Sequence, residues 1–565
     1  MIRHRRSWPD LSEASPVDVL PCSNGEYVPP VPTRRQLAIT ALADQEAERW
    51  RRRMGMDRRH FMRTAAAMAV GFWAIDAVGD VRFGNYARGH NTATTDACDL
   101  EWAGQRGLET VANLPGEFIF DVQSHHVDPD GLWRVTNPSM QAFFAAVWPQ
   151  SSPLLSPPSA RGDGSVRGGG AGEADPIENL SRFHYLKELF LDSATSAAVL
   201  SAVPAAPDSN QPLPIAEAVE TATTVNRLAG SRRVVMHAFV MPNRGGGRLQ
   251  GEELDLMAQR ADAHRDVLGG WKVYCPWGEV PYASGWTLDS EDVGFPFLAQ
   301  VLAVSRAYGV PPVVAAHKGF ALPGFDQQAA APRDVGPAAA AFPGVRFLVY
   351  HSGHDIDEGP QRPYAGDANV PNDARTVDAL IKTLRVHGID GPSHGGNSLN
   401  VWAELGSVWR DYMHDPSSAA HLLGKLLTHV GPKRVVWGTD SLWYGSPQAE
   451  IVALRRFDFT AEGRELYQLP HGLEGDVENP ARMASSPERT IRNAIFGRNA
   501  AEAYGFDANT GRHAVNCDAV NDLRQGYVLN PVTERETRPL ASLSAPGPRT
   551  RRQLLALVKG KPWGP

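Results

Sequence analysis

Between Phe118 and about Gly505 the chain alternates short apolar runs with longer segments whose apolar residues recur at helical spacing. The short runs are Phe118–Val122, Ala197–Val203, Arg233–Val240, Gly270–Cys275, Pro312–His317, Val345–Tyr350, Asn400–Leu405 and Arg434–Thr439. Several are apolar nearly throughout, as in strands covered on both faces. The segments Ile215–Leu228, Glu252–Val267, Pro296–Tyr308, Thr376–His387 and Ser417–Val430 read as the intervening helices. Eight such units favour a closed, TIM-like (β/α)8 barrel with N-terminal and C-terminal extensions. An open doubly wound sheet would want fewer strands and a glycine-rich first turn. The run Gly168–Gly172 follows no strand and reads as flexible loop, whereas Arg244-Gly-Gly-Gly-Arg248 directly follows the third strand and reads as a turn.

The pattern divides the chain. Residues 1–56 are a Pro-rich, then charged, N-terminal extension with a helical stretch at 35–53, and 80–116 read as a polar linker. The barrel occupies 117–506 with a Ser/Pro/Gly-rich insert at about 150–176, and 507–565 form a C-terminal extension. Within 57–79, Arg58-Arg59 precedes the mild apolar run 64–75. This reads either as a bacterial twin-arginine signal-like segment, implying export to the periplasm, or as an ordinary amphipathic helix, leaving the protein cytoplasmic. No stretch reaches the roughly 18 apolar residues that a bilayer span needs.

A formal net charge of -7 gives no electrostatic reason to expect nucleic acid. Four scattered cysteines signal neither a disulfide framework nor a thiolate metal site, so a metal would need histidine and carboxylate ligands; Cys275 reads as a buried thiol.

Four apolar runs end in such residues: Asp121-Val-Gln123-Ser-His125-His126, His317, His351 and Asp440. Parallel strands of a barrel bring their C-terminal ends to one mouth, where barrel enzymes keep their chemistry. Strict alternation would turn Asp121, Gln123 and His125 together toward the interior and His126 away. Imidazole and carboxylate there suit a divalent cation that acidifies water. Glu404 ends the seventh run and is placed to hydrogen-bond the site. Trp277, Trp286, Trp402 and Trp443 fall near strand ends, as an aromatic or apolar small-molecule pocket would require.

These motifs carry a resemblance. Phe120-Asp-Val-Gln-Ser-His125, Gly270-Trp-Lys272-Val-Tyr, Pro312-Val-Val-Ala-Ala-His317-Lys-Gly, Phe347-Leu-Val-Tyr-His351-Ser-Gly, Val435-Val-Trp-Gly-Thr-Asp440 and Ile495-Phe-Gly-Arg-Asn499 stand in the order seen in the amidohydrolase superfamily. The chain resembles its amidohydrolase-related branch, which includes aminocarboxymuconate semialdehyde decarboxylase-like enzymes. The resemblance implies one divalent metal, zinc by family habit, held by His125, His317 and Asp440. It also implies that Asp440 moves protons, and that His351 acts as ligand or acid/base. Gln123 stands where the family has its first histidine. An amide oxygen is a harder, weaker ligand, which brings manganese or iron into consideration.

The expected activity is hydrolysis of a C–N or C–O bond or decarboxylation of a small carboxylated substrate, with Lys272 and Glu404 as weaker candidates for substrate contact. Two other readings stay open. In one, Gln123 abolishes metal binding and the barrel serves as a small-molecule binding protein. In the other, a carboxylated Lys272 bridges two metals. An oligomer is compatible with all three.

Overall fold

The computed structural model describes residues 34–61, Val70, 111–144 and 177–529, apart from short gaps. Eight parallel strands follow one another in sequence and in space: β1 (Phe120–Ser124), β2 (Ala197–Ser201), β3 (Val234–Phe239), β4 (Leu268–Tyr274), β5 (Val313–His317), β6 (Arg346–Tyr350), β7 (Val401–Glu404) and β8 (Val435–Val436). The ring closes between last and first. Val122 N–H donates to the Trp437 carbonyl at 3.0 Å, Asp440 N–H to Gln123 at 2.9 Å and Leu442 N–H to His125 at 3.1 Å. The fold is therefore the (β/α)8 barrel that the periodicity predicts.

Alternation along the strands builds two cores. Phe120, Val122, Val199, Val235, Leu348 and Val436 fill the interior, closed at the N-terminal end by Tyr504. Their sequence neighbours, such as Ala198, Leu200, Met236, Trp271 and Val314, face the helices. The helices occupy Ile215–Ala229, Gln250–His264, Gly294–Tyr308, Val377–Val386 and Pro416–His429, close to their predicted spans.

The structure corrects the simple alternation in β1. Asp121 pairs with Ala198 but Ser124 with Leu200, so one extra residue bulges between them. Val122 thus belongs to the interior core, and Asp121 does not share a face with Gln123. Asp121 instead accepts hydrogen bonds from Thr439 Oγ1 at 2.5 Å and Thr439 N at 3.2 Å. Burial pushes its carboxyl up to about 7.

The Arg244–Gly247 segment is a tight turn, with Arg244 paired to Glu253 at 3.1 Å. Part of the C-terminal extension packs beneath the barrel. Helices Ala508–Asn516 and Ala519–Leu529 are anchored where Arg233 Nε meets Asp518 Oδ2 at 2.5 Å, and Arg233 also donates to the carbonyls of Val515 and Ser196, each at 2.9 Å. Cys517, between these helices, is disulfide-bonded to a cysteine outside the described residues, a pairing that the spacing did not signal. Cys275 is free, and burial pushes its thiol up to about 12.

The N-terminal extension contains the expected helix, Arg34–Arg53. Of the signal-like segment only Asp57, the short helix Arg58–Phe61, with Arg58 paired to Asp44 at 2.7 Å, and Val70 are described. The insert at 150–176 and most of 80–116 lie outside the described residues. No helix among the described residues is long and apolar enough to cross a membrane.

Candidate active site at the barrel mouth

The β1 bulge turns both Gln123 and His125 inward. His125 Nδ1 lies 2.7 Å from the Ser201 carbonyl. A carbonyl only accepts, so Nδ1 carries a hydrogen and Nε2 is the nitrogen turned to the mouth. That nitrogen is 3.1 Å from Asp440 Oδ1. His351 is arranged likewise, with Nδ1 2.9 Å from the Gly406 carbonyl and Nε2 3.5 Å from Gln123 Nε2. His317 donates through Nε2 to the Phe320 carbonyl at 2.6 Å and packs edge-on against His351, ring centroids 4.9 Å apart. Burial pushes the His351 imidazole down to about 4, and burial followed by the proximity of His351 pushes His317 well below its ordinary value. His317 and His351 are therefore neutral near pH 7, and each keeps one nitrogen free of hydrogen.

Asp440 accepts from Ser407 Oγ at 2.8 Å on Oδ2 and from Gln123 Nε2 at 2.9 Å on Oδ1. Burial works against its charge, yet the His125 hydrogen bond and the nearby His351 hold its carboxyl well below the usual carboxylate range. Glu404 sits behind these groups. Its Oε2 accepts from His351 N at 2.8 Å and its Oε1 from Gly406 N, so it braces the β6 and β7 ends. Burial pushes this carboxyl well above its ordinary range. A Cβ at Gly438 would stand 1.7 Å from Glu404 Oε1, so only glycine fits beside it.

The backbone around the site is strained. His351 (φ 62°), Ser352 (52°), Ser407 (57°) and Asp440 (58°) all occupy the left-handed region that non-glycine residues avoid. They stand just past β6, β7 and β8. Such strain concentrates at functional sites, where surrounding contacts over-determine the conformation.

Among the described residues no three His, Cys, Asp or Glu side chains form a ready metal-binding group. The local chemistry nevertheless fits a cation. His125 Nε2 and the Asp440 carboxylate converge at 3.1 Å, and Gln123 Oε1 is buried without a hydrogen-bond partner. As it stands, the Gln123 amide nitrogen takes up the space between Asp440 and His351. Half a turn of the amide would present Oε1 there instead, completing an oxygen and nitrogen donor set with His125 and Asp440.

His126 is not part of this set. Its Nε2 meets Thr221 Oγ1 at 2.9 Å on the outer face, as its parity predicts. Trp443 stacks on His125, with centroids 5.2 Å apart at 18°, and Phe144 stacks on Trp443 at 5.0 Å. Across the mouth Tyr274 stacks on His317 at 4.9 Å, with Phe325 against both and Trp277 against Phe239. Trp286 and Trp402 are buried core residues instead. Sequence reasoning missed Ser201, Ser407 and Tyr274. The first acts through a backbone carbonyl and the second through a left-handed loop, neither of which leaves a residue-type signature.

Residues 284–506 match the amidohydrolase family profile. This stretch, from the loop after β4 to beyond β8, is thus similar to the amidohydrolase family. No curated protein matches the chain. Among solved structures, the chain is similar to a 2,6-dihydroxybenzoate decarboxylase from Rhizobium, at 12% identity over 69% of this chain and 99% of that one, TM-score 0.35. It is also similar to a dihydroxybenzoic acid decarboxylase from Polaromonas sp. JS666 with bound manganese and 2-nitroresorcinol, at 13% identity over 69% and 97%, TM-score 0.36. A third is an amidohydrolase from Burkholderia multivorans with bound zinc, at 16% identity over 69% and 100%, TM-score 0.35.

Proposed function

We propose that this protein is a metal-dependent enzyme of the amidohydrolase type that decarboxylates, or hydrolyses a C–N or C–O bond of, a small planar substrate at the barrel mouth. The observation that carries the reading is the approach of His125 Nε2 to Asp440 Oδ1 at 3.1 Å, with the opposite ring nitrogen fixed by the Ser201 carbonyl. Metal-bound histidines are held in this way, the second nitrogen donating to a carbonyl. His125, His317, Asp440 and the oxygen of Gln123 would hold one divalent ion, zinc, manganese or iron. When bound, the ion polarises a substrate oxygen or acidifies water.

The chain's own residues do the rest. Asp440, ionised and oriented by Ser407, takes a proton. His351 faces the same space and relays one. Trp443 with Phe144 on one side and Tyr274 with Phe325 on the other make two aromatic walls suited to a flat ring. We propose export through the twin-arginine-like segment, with which the disulfide at Cys517 is in keeping, since such bonds persist in oxidising compartments.

A second reading is favoured by one observation. The Gln123 amide nitrogen already donates to Asp440 and lies 3.5 Å from His351 Nε2, so it occupies the place between them without a cation. The barrel would then be a binding protein. Elemental analysis of purified wild type beside His317→Ala separates the two. About one equivalent of metal, lost in the variant, supports the enzyme and directs screening to aromatic carboxylates, amides and lactones. Metal absent from both after supplementation overturns it.

A further inference from the structure

Lys272 projects from β4 into the barrel interior, between the inward-facing positions of Gly270 and Tyr274, while Trp271 and Val273 face the helices. It pairs with Ala315 on β5, and Tyr274 pairs with His317, so the lysine starts one interior layer beneath the histidines. Its neighbour Ala315 offers only a methyl group. The amine lies 3.5 Å from the Tyr350 ring centroid and 4.4 Å from that of Tyr274. It is fully buried and has no hydrogen-bond partner.

The oxygens that could pair with it are engaged elsewhere. Tyr350 OH donates to the Val122 carbonyl at 2.6 Å and Tyr274 OH to Ala202 at 3.2 Å. Asp440 is held by His125, Gln123 and Ser407, and Glu404 by two backbone N–H groups. Two aromatic faces favour a cation but accept none of its three hydrogens. Burial accordingly pushes the amine well below its ordinary value, with Asp440 and Glu404 pulling the other way.

From this geometry we infer that Lys272 is the anion-anchoring floor of the substrate site, which receives a carboxylate of the aromatic ring held between the Trp443 and Tyr274 walls. A carboxylate at this point supplies both the counter-charge and the acceptors that the protein withholds, and it restores the ammonium form. The inference narrows the proposed function to carboxylated substrates and rests on that reading for the position of the ring, though not for the metal.

The test is calorimetric binding of benzoate and of benzamide, the same ring with and without the charge, to wild type, Lys272→Met and Lys272→Arg. Each protein is measured as purified and again after chelator treatment, so that a metal does not stand in for the amine. Wild type should prefer benzoate in both preparations. Lys272→Met should weaken benzoate by at least about tenfold while moving benzamide less than about twofold, and Lys272→Arg should keep the preference. Equal binding of the two compounds by wild type, no binding of either at millimolar concentration, or a parallel loss of both in Lys272→Met overturns the inference. If Lys272→Met does not fold, the wild-type preference and its retention in Lys272→Arg decide. A benzoate preference that survives in a protein found to bind no metal sinks the catalytic reading and leaves this one standing.

Discussion

His125 Nε2 and Asp440 Oδ1 face each other at 3.1 Å across the seam where β1 meets β8. The contact joins residues 315 positions apart (440 − 125), and it is set from behind by Ser201 on one side and Ser407 on the other. Ser407 is the testable half. Ser407→Ala removes the donor to Asp440 Oδ2 and should lower metal affinity or activity by about 10- to 100-fold with the fold intact, as groups behind a ligand typically do. Metal titration with unchanged circular dichroism is the measurement; unaltered affinity would show that Asp440 needs no such support.

Gln123 controls which state the mouth adopts. Gln123→His replaces a donor amide with an imidazole lone pair and should raise zinc affinity by about tenfold or more. Competition with a chromophoric chelator reads the change. No gain, or a loss, would mean that the bulged β1 backbone does not aim position 123 at the ion.

How much of this was legible in the sequence differs between the strands and the site. All eight strands were readable, because a parallel sheet buried on both faces leaves apolar runs bounded by polar turns. His125, Gln123, His351 and Asp440 were legible as strand-end polar residues, and the structure brings them together. The β1 bulge was not, since an extra residue changes pairing without changing residue type. This is why Asp121 was expected inside and is found bound to Thr439. Loop-borne contributors such as Ser407 depend on a backbone angle that composition does not encode.

His354 gives a pH prediction. Its ring is clamped between Glu358 Oε2 at 2.7 Å and Asp411 Oδ2 at 3.1 Å, with Tyr412 OH beside it. Burial opposes its charge, but Asp411 and Glu358 prevail and raise it from 6.5 to about 9. A folded value above the unfolded one means that the clamp stabilises fully below about pH 6.5 and loses that contribution as pH rises through about 9. The contribution is on the order of 3 kcal/mol. Urea denaturation of wild type and His354→Gln should show a gap at pH 6 that closes by about pH 10. A gap independent of pH would assign His354 a packing role only.

Arg233 anchors the C-terminal helices through a pair that is almost wholly buried. Arg233→Met leaves Asp518 uncompensated and should cost about 3–5 kcal/mol, whereas adding Asp518→Leu should recover much of it. Thermal denaturation gives the energies, and limited proteolysis within 508–529 shows whether these helices detach first. Equal stability of single and double variants would contradict the assignment.

Tyr504 fills the N-terminal end of the barrel, its hydroxyl 2.7 Å from His237 Nε2 and its ring against Phe120. The cylinder is thus a cul-de-sac. Under the proposed activity, reactant and product would both use the C-terminal mouth, and a spent molecule would have to back out before a fresh one enters. Product should therefore inhibit competitively with substrate.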